Sequence, residues 1–165
     1  MMALADDIAR AVALREESQF TEALAILLDL YEMHPDDASV NHQLARTYDR
    51  QGVEDEAIGF YEHAIECGLA GEDLRNALLG LGSSYRVIDR SADSVRVLQK
   101  GITLFPQAQE FKVFLALSLF NLGELRDARR LLLEHIAEYS SDPGVQSFRR
   151  ALHYYAQHSD GEEGE

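Results

Sequence analysis

Small and large residues recur along this sequence at a fixed spacing, and this periodicity restricts the possible folds more than any other feature. One column holds only small residues, at Ala11, Ala45, Gly82 and Ala116. Three positions later a large residue follows each of them, at Leu14, Tyr48, Tyr85 and Leu119. The steps along both columns are 34, 37 and 34 residues. Regular steps of this length are typical of proteins built from stacked structural repeats.

A second pair of columns follows the first with the same steps. Its small members are Ala23, Ala57, Ser94 and Ala128, and its large members are Leu27, Tyr61, Leu98 and Leu132. Where two helices cross closely, a small side chain on one makes room for a large side chain on the other. A bulky residue in a small column would overpack the crossing, at a cost of roughly 1–3 kcal/mol. The columns therefore predict four units, each made of two helices in contact.

The spacing of apolar residues within each half-unit is helical. Leu24, Leu27, Leu28 and Tyr31 follow the i, i+3, i+4, i+7 pattern of one helix face. No segment shows sustained alternation of period two, so we expect an all-α fold without strands. Gly52 and Gly123 lie at equivalent places between half-units, where a helix ends and the chain reverses. Helices of about 12–15 residues are only marginally stable alone in water, so these helices must pack on one another.

The columns resemble the tetratricopeptide repeat, whose pattern is an early Leu-Gly/Ala pair, a Tyr, an Ala, a large residue and a Pro. The second unit matches through Leu44-Ala45, Tyr48, Ala57 and Tyr61, and the third through Leu81-Gly82, Tyr85, Ser94, Leu98 and Pro106. The family's Trp near the start of the repeat is replaced throughout. The chain is most similar to the small bacterial proteins of tetratricopeptide repeat group 5. The resemblance implies a right-handed superhelical α-α solenoid of four helix pairs.

The period also predicts the domain organisation. We expect one solenoid domain over residues 1–158, with Asp142 capping a terminal helix that starts at Pro143 and covers the last repeat. Phe148, Ala151, Leu152 and Tyr155 form the apolar stripe of that helix. The alternative is a terminal helix that docks a second copy of the chain. The predicted segments are repeats at 4–37, 38–71, 75–108 and 109–142, a cap helix at 143–158 and a disordered acidic tail at 159–165.

Composition excludes several classes of function. The formal net charge of −14 argues against nucleic-acid binding and against docking on anionic membranes. The single cysteine, Cys67, cannot form an internal disulfide, which fits a reducing compartment. No basic and apolar leader and no apolar run of about 20 residues occur, so we expect neither a signal peptide nor a membrane span. The expected location is cytoplasmic.

Motifs that carry chemistry are weak in this chain. The stretch GLGSS at Gly80–Ser84 contains two glycines, but a phosphate-binding fingerprint needs a preceding strand and a third glycine. His63 and Cys67 have the i, i+4 spacing of two metal ligands, yet the sequence indicates no further ligand near them. We therefore predict no enzyme, no cofactor and no metal. An enzyme accessory or an unrecognised hydrolase is the remaining alternative in this class.

In the family that the chain resembles, the first helix of each unit lines a concave groove that binds partners. Transferred by position, the resemblance gives a groove lined by Arg15, His42, Arg46, Asp49, Arg50, Asn76, Leu79, Ser83, Arg86, Val113, Leu117, Phe120 and Asn121. Its arginines favour an acidic group in the partner, and its apolar residues favour an apolar anchor. Alternatively, nearby carboxylates pair the arginines internally and the cap helix covers the apolar residues. Those carboxylates are Glu16, Asp49 and Glu110.

The resulting functional expectation is a non-catalytic scaffold that binds a protein or peptide in this groove. The alternative is a homo-oligomer, such as a homodimer, whose groove or cap face is filled by another copy. Chaperone-tail binding is not supported, because the positions of the family's carboxylate clamp hold other residues. These are Ile8, Val12, Gln43, Asn76 and Gly80.

Overall fold

The computed structural model describes residues 2–158, with side chains from Leu4 onward, and this part of the chain is helical without any strand. The all-α prediction is therefore confirmed. The predicted acidic tail at 159–165 lies outside the described residues. The helices are α1 Met2–Glu16, α2 Phe20–Met33, α3 Ala38–Gln51, α4 Glu54–Glu66, α5 Gly71–Val87, α6 Ser91–Leu104, α7 Glu110–Asn121, α8 Leu125–Tyr139, α9 Pro143–Ser147 and α10 Arg149–Gln157.

The chain forms two compact units. The first extends to Ile88 and contains α1–α5, and the second starts at Asp89 and contains α6–α10. The boundary falls inside the third predicted repeat, between its two helices. The single domain predicted for 1–158 stays a prediction.

In the first unit, each helix packs on its neighbours in the sequence. Contacts join α1 to α2, α2 to α3, α3 to α4 and α4 to α5. The first helices of successive repeats also touch, since α3 contacts both α1 and α5. This is the neighbour-on-neighbour packing that a helical-repeat protein uses to bury its apolar faces.

The periodic small residues are buried, as the sequence predicts. Every alanine of the two small columns is at most 2% exposed, Ser94 is fully buried, and Gly82 is buried as well. The residues of the large columns differ in exposure. Leu27, Tyr61, Tyr85 and Leu98 are buried, whereas Leu14, Tyr48, Leu119 and Leu132 are partly exposed.

The core of the first two helix pairs combines aliphatic and aromatic side chains. Ala11, Leu27, Leu30, Val40 and Leu44 form its buried centre. Phe60 of α4 closes one side of this core. Its ring centroid lies 5.4 Å from that of Tyr31 in an edge-to-face arrangement and 5.7 Å from that of Tyr48 in a stacked one. Such aromatic pairs contribute about 0.5–1.5 kcal/mol beyond the burial of their surface.

Four turns between helices share one left-handed residue at the same repeat position. Gly52 and Gly123 have φ of 75° and 80°, as expected for glycines that end a helix. Ser18 and Asp89 have φ of 62° and 60° at the equivalent places of the first and third repeats. The backbone conformation thus repeats with the sequence period even where the residue is not glycine.

In the second unit, contacts join α6 to α7, α7 to α8 and α8 to α10. The predicted start of the terminal segment is confirmed, because the Asp142 carboxylate accepts a hydrogen bond from the Val145 amide and Pro143 begins the helix. The single helix predicted over 143–158 is wrong. The chain forms two helices there, α9 and α10, which meet at Phe148.

The predicted apolar stripe of the terminal helix is also wrong in part. Phe148 is 66% exposed and Tyr155 is 50% exposed, whereas Ala156 is buried. All four residues of the stripe lie at or after the break, and only its middle members, Ala151 and Leu152, are partly buried. Contact of α10 with α8 is reinforced by Glu138, whose carboxylate forms an ion pair of 2.6 Å with Arg149 and lies 3.1 Å from Nε2 of His153.

Candidate functional site

The predicted groove residues of the first unit lie on three helices that pack side by side. Arg15 belongs to α1, and four residues, His42, Arg46, Asp49 and Arg50, belong to α3. The remaining four lie on α5, at Asn76, Leu79, Ser83 and Arg86. Because α3 contacts both α1 and α5, the structure brings these helices together. The side chains differ greatly in exposure.

Arg15 is an interior residue. Its side chain is 1% exposed, and it donates a hydrogen bond of 2.7 Å from Nη1 to Oε1 of Gln43. Its Nε lies 3.5 Å from the Glu16 carboxylate. Burial lowers the pKa of Arg15, and the positive charge of Arg46 lowers it further. A partner could not touch the Arg15 side chain without a rearrangement of the protein. Arg15 can therefore influence a partner only through its positive charge.

Arg50 is exposed but paired. Its Nη1 donates to Oε2 of Glu16 at 2.9 Å. Desolvation works to raise the pKa of Glu16, but the hydrogen bond and charge of Arg50 outweigh it and hold this pKa below its usual value. The sequence-based alternative of internally paired arginines therefore describes Arg15 and Arg50.

Asp49 does not pair an arginine through a hydrogen bond. Its Oδ2 accepts one from the Tyr61 hydroxyl of α4 at 3.0 Å. Burial raises the pKa of this carboxyl. The alternative in which Asp49 pairs an arginine directly is wrong, because the phenol of Tyr61 holds the carboxylate. The charges of Arg46 and Arg50 act on Asp49 only through space and work against the rise in its pKa.

Arg46 and Arg86 are the unpaired cations of this surface. Both are partly exposed, and within residues 2–158 neither side chain forms a hydrogen bond or an ion pair. The Nε of Arg86 is buried without a hydrogen-bond partner. The charge of Arg46 lies close enough to lower the pKa values of both Arg15 and His42. Among the described residues these two arginines thus lack a direct partner, in a chain whose net charge is −14.

His42 is fully buried on α3. Its Nδ1 lies 3.5 Å from Oδ1 of Asp73, which is largely exposed. Burial lowers the pKa of His42 to about 4, since the attraction of Asp73 is weaker than the cost of desolvating the charged imidazole. His42 is thus neutral at neutral pH and belongs to the interior rather than to an accessible binding surface.

The predicted groove residues of the second unit lie on α7. Phe120 is 64% exposed, Leu117 is 39% exposed, Val113 is partly buried and Asn121 is exposed. Positions 113, 117 and 120 follow i, i+4, i+7 and so share one helix face. The expectation that the terminal helix covers this apolar patch is wrong, because Leu117 and Phe120 remain exposed and α10 packs on α8.

A polar depression in the second unit was not predicted. It has a volume of about 320 Å³ and is lined by residues of α8, of α10 and of the start of α7. Its lining mixes both signs of charge with imidazoles, and Glu138 is already held by Arg149 and His153. The lining residues are Gln109, Lys112, Leu131, Glu134, His135, Glu138, Tyr139 and His153.

The GLGSS stretch lies inside α5, with no strand before it in the described chain, so it is not a phosphate-binding loop. Gly82 is buried as a member of the small column. Gly80 packs against Tyr61, and a Cβ at this position would overlap the phenol ring. Packing accounts for both glycines. The contact between Gly80 and Tyr61 was not evident from the sequence.

His63 and Cys67 acquire a third potential metal ligand in the fold. Asp36, in the connection between α2 and α3, places Oδ1 3.2 Å from Nε2 of His63, and the same nitrogen lies 3.6 Å from Sγ of Cys67. The ligand atoms of all three residues lie within 4.8 Å of one another. The sequence did not indicate this cluster, because Asp36 precedes His63 by 27 residues.

Comparison with known proteins adds family and fold. A family model described as tetratrico peptide repeat matches residues 38–159. A search of curated proteins finds no match to the sequence. The structure resembles that of YrrB, a tetratricopeptide repeat protein with an unusual peptide-binding site, with a TM-score of 0.71 and 17% identity over 90% of this chain and 75% of that one.

Two further solved structures are similar at the same level of identity. PilF of Pseudomonas aeruginosa has a TM-score of 0.71 and 17% identity, covering 93% of this chain and 68% of that one. MamA of AMB-1 has a TM-score of 0.70 and 17% identity, covering 94% of this chain and 87% of that one. At this identity the likeness concerns the fold alone.

Proposed function

The chain belongs to the tetratricopeptide repeat family, and from this premise we propose that it is a non-catalytic scaffold whose first unit binds an acidic protein segment. Tetratricopeptide repeats serve in general as protein–protein interaction modules. An acidic partner is supported by one observation. Arg46 and Arg86 are partly exposed cations with no hydrogen bond or ion pair among the described residues.

Electrostatics support a carboxylate as the recognised group. Arginine presents a planar fork of donors that matches a carboxylate in two-point geometry. The buried charge of Arg15 lies near Arg46 and adds to the positive potential without being touched. A carboxylate that binds Arg46 would relieve this repulsion between like charges. Arg50 contributes less, since Glu16 already occupies its Nη1.

An apolar anchor is the second element of the proposed partner. Phe120 and Leu117 expose an apolar face on α7 of the second unit. Exposed aromatic side chains that enter a pocket or cover a partner are frequent hot spots of binding. We therefore propose that this face of the second unit, taken by itself, binds a large apolar residue of a partner.

The proposed location is cytoplasmic. Cys67 is a free cysteine, which fits a reducing compartment. Within residues 2–158 no helix combines the length and apolar character needed to cross a membrane.

The experiment that tests the function uses matched synthetic peptides. Pairs of equal length carry Glu or Gln at the same positions around a Leu or Phe anchor, and fluorescence anisotropy gives the affinity of the untagged protein for each. We expect the Glu peptides to bind more tightly and to weaken as salt is added, because the contacts are between charges. Equal affinity for Glu and Gln peptides at all salt concentrations would contradict recognition of acidic segments.

Self-association is the second candidate function. The second unit exposes Phe148, Tyr154 and Tyr155 in addition to the α7 face. Such apolar surface could be covered by another copy of the chain. Light scattering after size exclusion, over a wide range of protein concentrations, separates the two functions. A constant monomer mass favours the scaffold, and a mass that rises to twice the monomer favours the homodimer.

A further inference from the structure

A cluster of three potential metal ligands lies on the first unit, apart from Arg46 and Arg86. Its members are Asp36, His63 and Cys67. His63 lies in the last turn of α4, and Cys67 is the residue that ends this helix. Their i, i+4 spacing places both side chains on the same helix face. Asp36 comes from the connection between α2 and α3. Two successive repeats thus each contribute to the cluster.

The two distances from the His63 nitrogen match the edges of a tetrahedral metal site, and the Asp36 oxygen and the Cys67 sulfur lie within 4.8 Å of each other. With Zn–N and Zn–O bonds of about 2.0–2.1 Å and a Zn–S bond of about 2.3 Å, tetrahedral edges are about 3.3 Å for N···O and about 3.6 Å for N···S. The observed separations are 3.2 Å from Nε2 of His63 to Oδ1 of Asp36 and 3.6 Å from the same nitrogen to Sγ of Cys67. An ion can therefore enter with only small shifts of the side chains.

We propose that Asp36, His63 and Cys67 bind a divalent transition-metal ion of the Zn²⁺ type, with the fourth position taken by water. A thiolate, an imidazole and a carboxylate together favour Zn²⁺ over the hard cations Ca²⁺ and Mg²⁺, which prefer oxygen ligands. Asp36 and His63 are accessible to solvent, at 84% and 37% exposure, so an ion can reach the cluster.

Further acidic residues lie next to the cluster, and their negative charges attract a cation. Oε2 of Glu66 lies 3.9 Å from Nδ1 of His63, beyond hydrogen-bond distance. The charge of this carboxylate adds to that of Asp36 in attracting a cation to the imidazole. Burial raises the pKa of the Cys67 thiol, and the charges of Asp36, Glu66 and Asp37 raise it further. A bound dication reverses this effect, because a coordinated thiol loses its proton.

Metal binding would tie two successive repeats together. The ion would fix the connection between α2 and α3 to the end of α4, and its binding free energy would stabilise the folded first unit. This inference is independent of the proposed binding of acidic segments. A bound ion would thus make the packing of these two repeats depend on metal.

Cobalt is the probe for this site. Untagged full-length protein is titrated with Co²⁺, whose thiolate complexes absorb in the near ultraviolet, and Zn²⁺ is then added as a competitor. The chain has a single cysteine, so a charge-transfer band reports on Cys67 alone. We expect one Co²⁺ per chain, loss of the band on adding Zn²⁺, and a melting temperature that rises with Zn²⁺.

Variants with single ligand changes test the assignment. Cys67→Ser should abolish the band, and His63→Gln and Asp36→Asn should each weaken binding by at least about tenfold. Glu66→Gln removes only a nearby negative charge and should weaken binding by less than about threefold. The control is His34→Gln, which removes an exposed imidazole near Asp36 but outside the cluster. Circular dichroism checks that each variant is folded. Absence of the band in the wild type, or equal weakening by His34→Gln and His63→Gln, would overturn the proposal.

Discussion

The Glu16 carboxylate and the Arg50 guanidinium, 34 residues apart, form an ion pair with an N···O distance of 2.9 Å. Their separation equals one repeat step, so the two residues occupy equivalent positions on α1 and α3. A carboxylate in one repeat therefore faces an arginine in the next. The pair shows directly that equivalent positions of these two repeats are neighbours in space, and it explains why Arg50 is not a free cation.

Replacing Glu16 with Gln should strengthen binding of acidic peptides. The change removes the partner of Arg50 and one of the two neighbours of Arg15, while the bond from Arg15 to Gln43 remains. The surface then carries one more unpaired cation. Peptide affinity measured by fluorescence anisotropy should rise several-fold, in line with the effect of one charge at a partly solvated interface. An unchanged or lower affinity would contradict the role given to Glu16.

Two glycines in helix interiors should respond in opposite ways to alanine. A Cβ at Gly59 in α4 would meet no atom of another residue within 4 Å outside its own helix backbone, so Gly59→Ala should stabilise the protein by about 0.5–1 kcal/mol through helix propensity. Gly80 in α5 lies against the buried ring of Tyr61, so Gly80→Ala should destabilise it by roughly 1–3 kcal/mol. Urea unfolding measures both changes. Shifts of the same sign would contradict the contact between Gly80 and Tyr61.

The left-handed turn positions give a second matched set. Ser18 has φ of 62°, which costs a non-glycine residue roughly 1–2 kcal/mol, so Ser18→Gly should stabilise the protein by about 0.5–1 kcal/mol after the greater entropy of unfolded glycine is counted. Gly52 occupies the same position one repeat later, with φ of 75°, and Gly52→Ala should destabilise the protein by about 1 kcal/mol. Thermal unfolding of both variants checks the sign. Destabilisation by Ser18→Gly would show that the turn does not require this conformation.

His42 should make the fold sensitive to mild acid. Its pKa is about 4 in the folded chain, below the ordinary value of 6.5, because burial disfavours the charged ring. The unfolded chain therefore takes up a proton first as the pH falls. Stability from the neutral imidazole is present above pH 6.5 and is lost between pH 6.5 and 4, amounting to about 2 kcal/mol between pH 7 and pH 5.

Urea unfolding at several pH values, with nuclear magnetic resonance titration of the imidazole, tests this behaviour. The charged neighbours of His42 are Asp73, Arg46 and Arg15. The variant His34→Gln, which changes an exposed imidazole, should keep the loss of stability seen in the wild type. A His42 resonance that titrates near pH 6.5 would contradict the buried neutral ring.

Periodicity in the sequence was sufficient to predict the helices, their packing on sequence neighbours and the burial of the small columns. The cap at Asp142 and the turns at Gly52 and Gly123 follow from local rules that act within a few residues. These features depend on the backbone and on side-chain size, both of which a sequence displays. The left-handed turn at Ser18 shows that the repeat can impose the conformation without its usual residue.

Whether each groove arginine pairs with a carboxylate could not be predicted in this way. Placing Arg15, Arg46 and Arg50 on one surface was possible from their repeat positions, but which of them finds a carboxylate depends on side-chain geometry across helices. Glu16 takes Arg50, whereas Asp49 is held by Tyr61 and leaves Arg46 unpaired. The convergence of Asp36 with His63 and Cys67 depends in the same way on packing between repeats.

The most direct test of acidic-segment binding is calorimetric titration of a Glu-containing peptide into the wild type and two double variants. Arg46→Ala/Arg86→Ala removes the unpaired cations, and Arg96→Ala/Arg130→Ala removes the same charge from arginines already paired with Asp93 and Asp127. We expect the first double variant to weaken binding by at least about tenfold and the second by less than about threefold. Equal losses in both variants would show that net charge, and not the surface formed by α3 and α5, attracts the peptide.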